Sequence, residues 1–276
     1  MTADQQAKAT RFIELHQRAG AFVIPNPWDV GSARILECLG FEALATTSAG
    51  FAFSLGLTDG GITRKQALEH CTAMVAATSL PVSADLEKGF GDSPDAVAET
   101  IRSAAKTGLV GCSIEDFGGD RAKPIYDFKH AVERTDAAVE AAQSLPFAFM
   151  VTARSENYLH GRPDLDDTIR RLKAFEDVGA DVLYAPGLKT LDDIRAVCSE
   201  IKQPVNVVME ASKAGFGVVE LADAGVKRIS VGAIFARAAY GELIRAAKEI
   251  AVRGTFNFAD DVIGFAELSG YFSKSD

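Results

Sequence analysis

The stretch that decides the fold is LPVSADLEKGFG, residues 80–91. Its apolar start reads as a short buried strand, and a glycine-flanked turn at 89–91 follows it. Side chains two apart in an extended segment point the same way, so Asp85 and Glu87 should share one face where the strand stops. Two carboxylates held in an apolar neighbourhood repel each other unless a proton or a cation lies between them. The stretch therefore predicts a divalent cation bound through oxygen, Mg²⁺ first and Mn²⁺ as the alternative.

The composition of the chain excludes several classes of partner. Its 276 residues are 47% hydrophobic and 24% charged, and 29 basic against 38 acidic side chains give a net charge of −9. This acidic balance provides no electrostatic footprint for nucleic acid, and no apolar run reaches the roughly 20 residues that span a bilayer. Four scattered cysteines and a polar first helix without a signal peptide favour a reducing compartment. We expect a soluble cytoplasmic protein without disulfides that binds small molecules.

Short apolar runs alternate with amphipathic runs along the chain. Eight of the apolar runs have the character of strands buried on both faces, as in a parallel sheet covered by helices. They are residues 22–26, 43–48, 81–87, 111–116, 147–154, 181–186, 204–209 and 228–232. Four helical patterns end in a glycine suited to a left-handed C-cap, namely Gly40, Gly108, Gly179 and Gly225. Eight such units without a linker predict one α/β domain over 1–276, a (β/α)₈ TIM barrel, with a doubly wound open sheet as the alternative.

Polar side chains concentrate where the predicted strands end, and in a barrel those ends meet at one rim. The acids there suit a hydrated divalent cation, an arginine can grip a carboxylate with two parallel hydrogen bonds, and a Thr-Ser-Ala-Gly turn can offer hydroxyl and N–H groups to an oxyanion. The residues are Thr47, Ser48, Ala49, Asp59, Asp85, Glu87, Glu115 and Arg154. Together they predict a site for a metal-chelated 2-oxo or 2-hydroxy acid. A structural reading stays open for Arg154, as an ion-pair partner of Glu115 or Glu156.

The C-terminal stretch 254–272 is rich in aromatic and aliphatic residues that lie beyond a completed barrel. Apolar surface of this kind calls for a partner. We therefore expect residues 254–276 to lie at a subunit interface, and the alternative is that they fold over the bottom of their own barrel.

From about Phe22 to Ala236 the chain resembles the isocitrate lyase and phosphoenolpyruvate mutase superfamily. The resemblance rests on five motifs, ATTSAG (45–50), LGLTDGG (55–61), SADLEKGFG (83–91), GCSIED (111–116) and TARSENY (152–158). It implies a (β/α)₈ barrel whose C-terminal helix is exchanged with a neighbouring subunit, in a homodimer or a homotetramer. It also implies bound Mg²⁺ and a small carboxylic acid substrate stabilised as an enolate.

The resemblance also assigns roles position by position. The residue that corresponds to the direct metal ligand is Asp85. The residues that would hold the metal's water molecules are Asp59, Glu87 and Glu115. The residues that would bind the substrate carboxylate are Thr47, Ser48 and Ala49. Arg154 would grip the substrate and neutralise the charge that develops on the enolate.

The loop after the fourth strand departs from the family pattern. Isocitrate and methylisocitrate lyases carry a cysteine there as proton donor, whereas residues 116–130 read DFGGDRAKPIYDFKH. Gly118 and Gly119 in this loop predict a hinge, so that the loop can close over the site. The candidate proton carriers of the loop are Lys123, Tyr126 and His130. Another histidine, His160, lies in a later loop and alone gives only a weak signal. Two further residues at strand ends, Tyr184 and Asn206, are candidates for lining the substrate pocket.

These features favour a Mg²⁺-dependent carbon–carbon lyase or decarboxylase that acts on an oxaloacetate-like acid. The first alternative is cleavage of a P–C bond, as in phosphonopyruvate hydrolase or phosphoenolpyruvate mutase. The second is a protein that binds a 2-oxo acid without turning it over.

Overall fold

The structure is a computed structural model that describes residues 2–120, 122–209 and 215–273. Within these ranges eight parallel strands alternate with helices. The strands are β1 (Phe22–Ile24), β2 (Leu44–Ala45), β3 (Val82–Asp85), β4 (Gly111–Glu115), β5 (Met150–Arg154), β6 (Val182–Tyr184), β7 (Val205–Val208) and β8 (Arg228–Ser230). The helices are α1 (Ala3–Gln17), α2 (Val30–Cys38), α3 (Ser48–Ser54), α4 (Arg64–Ala77), α5 (Pro94–Ala105), α6 (Phe128–Gln143), α7 (Leu165–Asp177), α8 (Leu191–Glu200), α9 (Val218–Asp223), α10 (Ile234–Arg253) and α11 (Phe265–Gly270), with a 3₁₀ turn at Asn257–Asp261.

The strands pair in the order β1-β8-β7-β6-β5-β4-β3-β2, and every pair is parallel. The remaining seam, between β1 and β2, is crossed by a backbone hydrogen bond of 3.1 Å from Ala45 N–H to the Pro25 carbonyl. The Asn26 side chain also crosses this seam, because its Nδ2 donates to the Thr46 carbonyl at 3.1 Å. Its Oδ1 accepts the N–H groups of residues 231–232, just after β8, so this side chain forms a clip that joins β1 to both neighbours. The nearly closed barrel confirms the predicted (β/α)₈ fold, and the open-sheet alternative is wrong.

The observed strands are shorter than the predicted ones, and β2 shows why. The sequence predicts a strand over 43–48, yet the chain becomes helical at Ser48. Thr47 caps α3, since its Oγ1 accepts the Gly50 N–H at 3.2 Å. Hydroxyl residues that could continue a strand serve here to begin a helix.

The glycines that follow helices have the backbone conformation that the sequence predicts. The four glycines that end helical patterns all have left-handed backbone angles, with φ between 87° and 98°. At Gly108 a side chain is excluded on two grounds, because φ is 96° and an added Cβ would lie 2.7 Å from Val75. Such glycines bring the chain directly from a helix into the next strand.

The C-terminal region is poorly covered by the rest of the described chain. In α10 the buried residue is Ala236, and Phe256 and Phe265 are 63% and 90% exposed. Near its end the region touches α2, because the Tyr271 carbonyl accepts a contact of 3.5 Å from Sγ of Cys38, the last residue of that helix. The exchange of a helix between subunits stays a prediction. Among the described helices, none combines the length and apolar character needed to cross a membrane.

Candidate active site

A cavity of about 680 Å³ opens at the carboxyl ends of the strands. It brings together ten residues that the sequence nominates, drawn from seven strand ends and loops. They are Thr47, Ser48, Ala49, Asp59, Asp85, Glu87, Glu115, Arg154, Tyr184 and Asn206. Convergence from distant parts of the chain onto the catalytic end of a barrel is the arrangement that enzymes of this fold use.

A larger cavity, of about 1010 Å³, lies at the opposite end of the barrel. The acid on its lining is the half-buried Asp181, and one oxygen of that carboxylate is already engaged, because Oδ2 accepts the Val151 N–H at 2.7 Å. Burial raises the pKa of Asp181, and the bond from Val151 opposes the rise. The described residues that line this cavity include no cluster of acids, so we place the chemistry at the other end.

Asp85 is the last residue of β3, and its carboxylate lies at the centre of a hydrogen-bond network. Its Oδ2 accepts the Ser48 hydroxyl at 2.8 Å, and its Oδ1 accepts Arg154 Nη1 at 3.0 Å. Its own N–H donates to Thr46 Oγ1 at 3.0 Å, which fixes the strand end. The carboxylate therefore joins the hydroxyl turn after β2 to the arginine at the end of β5.

Glu87 reaches the cavity by a different route from the predicted one. Strand β3 stops at Asp85, and Glu87 adopts a left-handed backbone with φ of 49°, which is uncommon outside glycine. Two bonds hold it there, since its N–H donates to Asp85 Oδ1 at 3.3 Å and its carbonyl accepts the Glu115 N–H at 3.1 Å. A turn, and not strand alternation, thus places the two acids on one cavity.

The carboxylate of Glu87 is short of partners. Its Oε1 is buried and has no hydrogen bond among the described residues. Burial, followed by repulsion from Asp85 and Asp59, raises the pKa of Glu87 to about 7. A buried carboxylate oxygen without a donor is a position that a cation or its bound water would satisfy.

Arg154 ends β5 and is surrounded by carboxylates. Its Nε and Nη2 donate to Glu156 Oε1 at 2.9 and 2.7 Å, and its Nη1 lies 3.3 Å from Glu115 Oε2. Burial lowers the pKa of Arg154, but Glu156, Glu115 and Asp85 raise it by more, so it lies well above the ordinary value. The ion pairs that the structural reading predicts are present, and the same arginine also lines the cavity.

The acids exceed the charge that this arginine can balance. Burial is the first cause of a raised pKa in Glu115, which lies well above its ordinary value, and in Asp59, where repulsion by Asp85 adds to it. No three acids, histidines or cysteines of the described residues converge closely enough to enclose an ion by themselves. The donor set therefore fits a hard divalent ion that takes one carboxylate directly and keeps several waters, which is the habit of Mg²⁺.

The turn after β2 is shaped by Gly50. A Cβ at this position would lie 2.7 Å from Thr47 Cγ2 and 3.0 Å from Trp28 Cβ. The absence of a side chain lets the turn close, with Ser48 and Ala49 on the cavity lining. This segment is where a substrate carboxylate would meet hydroxyl and N–H donors.

Tyr184 and Asn206 line the cavity from β6 and β7. The guanidinium carbon of Arg154 lies 5.0 Å from the Tyr184 ring centroid, a cation–π distance. The Asn206 amide is fixed at both ends, because Nδ2 donates to Ser230 Oγ at 3.1 Å and Oδ1 accepts Arg228 Nε at 2.8 Å. One of the two amide hydrogens of Asn206 is thus committed to Ser230.

Sequence reasoning missed Arg228, a buried cation that also lines the cavity. Its other donors go to uncharged groups, with Nη2 2.9 Å from Thr152 Oγ1 and Nη1 3.4 Å from His16 Nε2. Burial lowers the pKa of Arg228 to about 10. An arginine at the beginning of a strand carries no sequence signal of this role.

The candidate proton carriers in the loop after β4 do not line the cavity. Lys123 pairs with Asp127 at 3.0 Å on the surface. The Tyr126 hydroxyl donates to Asp92 Oδ1 at 2.5 Å, and burial together with this bond raises the pKa of Tyr126. His130 Nε2 lies 2.9 Å from the Asp92 carbonyl. Asp92 thus holds two of the three carriers away from the cavity, and a catalytic role for Lys123 and Tyr126 stays a prediction.

His160 is the second residue whose importance the sequence did not reveal. It lines the cavity and stacks on Phe117, with ring centroids 3.8 Å apart and planes 7° apart. Its Nε2 lies 3.5 Å from Oε2 of Glu156. The signal available in the sequence was its spacing of four residues from Glu156, close behind Arg154.

Comparison with known proteins identifies the family of the chain. The family model described as phosphoenolpyruvate phosphomutase matches residues 12–251. A solved structure from Burkholderia cenocepacia J2315, described provisionally as a lyase/mutase, is 55% identical, with a TM-score of 0.97 over 100% of this chain and 99% of that one. The 2-methylisocitrate lyase of Shewanella oneidensis is 31% identical over 81% of this chain and 78% of its own length. A solved 2,3-dimethylmalate lyase is 25% identical, with a TM-score of 0.84 over 99% of this chain and 95% of that one. The chain therefore belongs to the phosphoenolpyruvate phosphomutase family, within the isocitrate lyase/PEP mutase superfamily of lyases and mutases.

Proposed function

We propose that the protein is a Mg²⁺-dependent lyase that cleaves or decarboxylates an oxaloacetate-like 2-oxo or 2-hydroxy acid through an enolate. The observation that carries the proposal is the group of carboxylates around Arg154 on one cavity, with the orphaned Oε1 of Glu87 among them. Mg²⁺, when bound, supplies Lewis-acid polarisation of the substrate's oxo group. Asp85 would hold the ion directly, and the acids that would hold its waters are Asp59, Glu87 and Glu115.

Arg154 is suited to stabilise the enolate. Of its five N–H groups, Nε–H and one on Nη2 go to Glu156, and the two on Nη1 face Asp85 and Glu115. The second N–H of Nη2 is then left to donate to a substrate oxygen. A donor already fixed by neighbouring carboxylates needs no reorganisation when negative charge develops on that oxygen.

Two cations on the β8 side of the cavity favour a substrate with a second anionic group. Arg228 is buried beneath the cavity, and Arg237 lines it from the first turn of α10. Among the described residues the Arg237 side chain makes no ion pair or hydrogen bond, whereas the other lining cation near the rim, Lys88, is bound to Asp92 at 2.6 Å. An unpaired arginine suits a carboxylate at the far end of a short diacid.

The same cations also suit a phosphonate, so P–C bond cleavage is a second candidate function. A phosphonate presents three oxygens to arginine and matches its planar fork as well as a carboxylate does. The description of the matching family, phosphoenolpyruvate phosphomutase, favours this candidate as well.

The test is a turnover assay with Mg²⁺ over oxaloacetate, 2-methylisocitrate, isocitrate, 2,3-dimethylmalate and phosphonopyruvate. Pyruvate and inorganic phosphate are measured separately, each reaction is repeated with EDTA, and Asp85→Ala is compared with the exposed matched control Asp166→Ala. EDTA-sensitive pyruvate release without phosphate supports the carbon–carbon lyase. Phosphate release from phosphonopyruvate supports P–C cleavage. No turnover of any substrate in the panel, with oxalate still raising the melting temperature, contradicts these five substrates and supports either a different acid as substrate or a 2-oxo acid-binding protein.

A further inference from the structure

The proposed lyase reaction leaves an enolate that must gain a proton, and the chain lacks the loop cysteine that supplies it in related lyases. The loop residues Lys123, Tyr126 and His130 are held outside the cavity. The proton must therefore come from a group that already lines the cavity. The acids there are assigned to the metal and its waters, and within the described residues the histidine that lines the cavity is His160.

The position of His160 is fixed on two sides. Phe117, just after β4, stacks on its ring, and Glu156, just after β5, faces its Nε2 at 3.5 Å. The Glu156 side chain is almost fully buried, and its other oxygen accepts Nε and Nη2 of Arg154. Glu156 therefore contacts both the His160 imidazole and Arg154. Only this one side chain separates His160 from the arginine that would bind the enolate. Catalytic hydrogen bonds are often this long before a substrate binds and tighten in the complex.

We propose that His160 is the catalytic acid that protonates the enolate carbon, a step that rests on the proposed function. Glu156 faces Nε2, so Nδ1 carries the proton that moves. The electron pair of the enolate C=C bond forms the new C–H bond, the C–O bond returns to a carbonyl, and the N–H bond of Nδ1 breaks with its electrons staying on nitrogen. Neutral His160 then regains a proton from water.

Among the other groups that line the cavity, Tyr184 is a weaker candidate for this acid than His160, because a phenol is less acidic than an imidazolium. An imidazole has an ordinary pKa near 6.5, whereas a phenol has one near 10. A carrier must both lose and regain a proton at neutral pH, and the best catalytic pKa lies close to the working pH.

A partial reaction tests the proposal without knowledge of the natural substrate. If His160 moves a proton at the carbon next to the oxo group, the Mg²⁺-loaded enzyme should exchange the C3 protons of pyruvate or 2-oxobutyrate for deuterium in D₂O. Proton NMR follows this exchange. The variant His160→Gln should lose at least about 100-fold in exchange rate, the usual contribution of a positioned acid or base. The Mg²⁺-dependent rise in melting temperature with oxalate should remain, and added imidazole should restore exchange in His160→Ala.

The matched control is His70→Gln. His70 also stacks on a phenylalanine, Phe51, with centroids 3.9 Å apart, but it does not line the cavity. Its exchange rate should stay within twofold of the wild-type rate. Exchange by His160→Gln within twofold of wild type would overturn the proposal, and so would a wild-type enzyme that binds oxalate yet exchanges neither acid. If oxalate does not raise the melting temperature of the Mg²⁺-loaded wild type, the proposed function is wrong, and the role assigned to His160 is wrong with it.

Discussion

Replacing Glu87 by glutamine should stabilise the metal-free protein at high pH. The folded chain raises the pKa of this carboxyl from 4.5 to about 7, by burial and by repulsion from Asp85 and Asp59. Below pH 4.5 the folded and unfolded chains both keep the proton, so the substitution has no electrostatic effect. As the pH rises from 4.5 to 7 only the unfolded chain releases its proton readily, so the stability of the wild type falls. Above pH 7 the full cost is present and constant.

The size of the effect follows from the pKa of Glu87. A shift of about 2.5 units corresponds to a ceiling of roughly 3.4 kcal/mol at about 1.36 kcal/mol per unit. Glu87 is only partly buried, and solvent screens an exposed charge, so we expect about half of this, roughly 1.7 kcal/mol. For a chain of this length about 1 kcal/mol moves the melting temperature by roughly 2 °C, which predicts a gain of about 3–4 °C.

The assay is thermal unfolding in EDTA, followed by circular dichroism at pH 4.5, 6 and 8. Glu87→Gln is compared with wild type and with Glu69→Gln, a control in which an exposed glutamate of an i,i+4 pair with Lys65 is changed. The advantage of Glu87→Gln should appear between pH 4.5 and 7, and Mg²⁺ at pH 8 should favour the wild type more than the variant. Equal melting temperatures of the two proteins at pH 8 in EDTA would refute the reasoning.

Three further predictions concern the site and the barrel. Arg154→Lys should weaken Mg²⁺-dependent oxalate binding by 10- to 100-fold in calorimetry, since an ammonium cannot reproduce the planar fork, and unchanged affinity would make Arg154 purely structural. Arg228→Met and Asn206→Ala should be coupled by at least about 1 kcal/mol in the free energy of unfolding, because the 2.8 Å bond joins them; additive effects in the double variant would contradict this. Gly111→Ala should cost about 1–3 kcal/mol in urea unfolding, because its Cβ would lie 2.7 Å from the Met150 carbonyl oxygen, and a retained midpoint would count against the barrel register.

The barrel could be predicted from the sequence because its signals are local. Apolar runs buried on both faces recur in each unit and glycines follow four of the helical patterns, and each of these signals depends on only a few neighbouring residues. The left-handed backbone of Glu87 could not be predicted in this way. It depends on the bond from the Glu115 N–H to the Glu87 carbonyl, and thus on a strand 28 residues away.

The same distinction between local signals and distant contacts explains which residues of the candidate site could be predicted. Asp85 and Arg154 were found because they end strands, and strand ends meet in a barrel. Tyr126 was assigned to the chemistry from its place in a loop, but its hydroxyl is taken by Asp92, 34 residues away. Arg228 was missed because its partners lie 22, 76 and 212 residues away, so that no window of sequence contains the network.

The pairing of the first strand with the last has a consequence for how the protein is made. Strand β1 has a ladder partner in β8, and the Asn26 clip reaches backbone groups 205 residues further along the chain. At about 5–20 residues per second, a ribosome needs roughly 10–40 s to synthesise that interval. Throughout this time the N-terminal strand has emerged with its main partner still unmade. Vectorial synthesis therefore gives chaperones a defined window on β1, and a nascent chain that stops short of β8 leaves an open strand edge for proteolysis or aggregation.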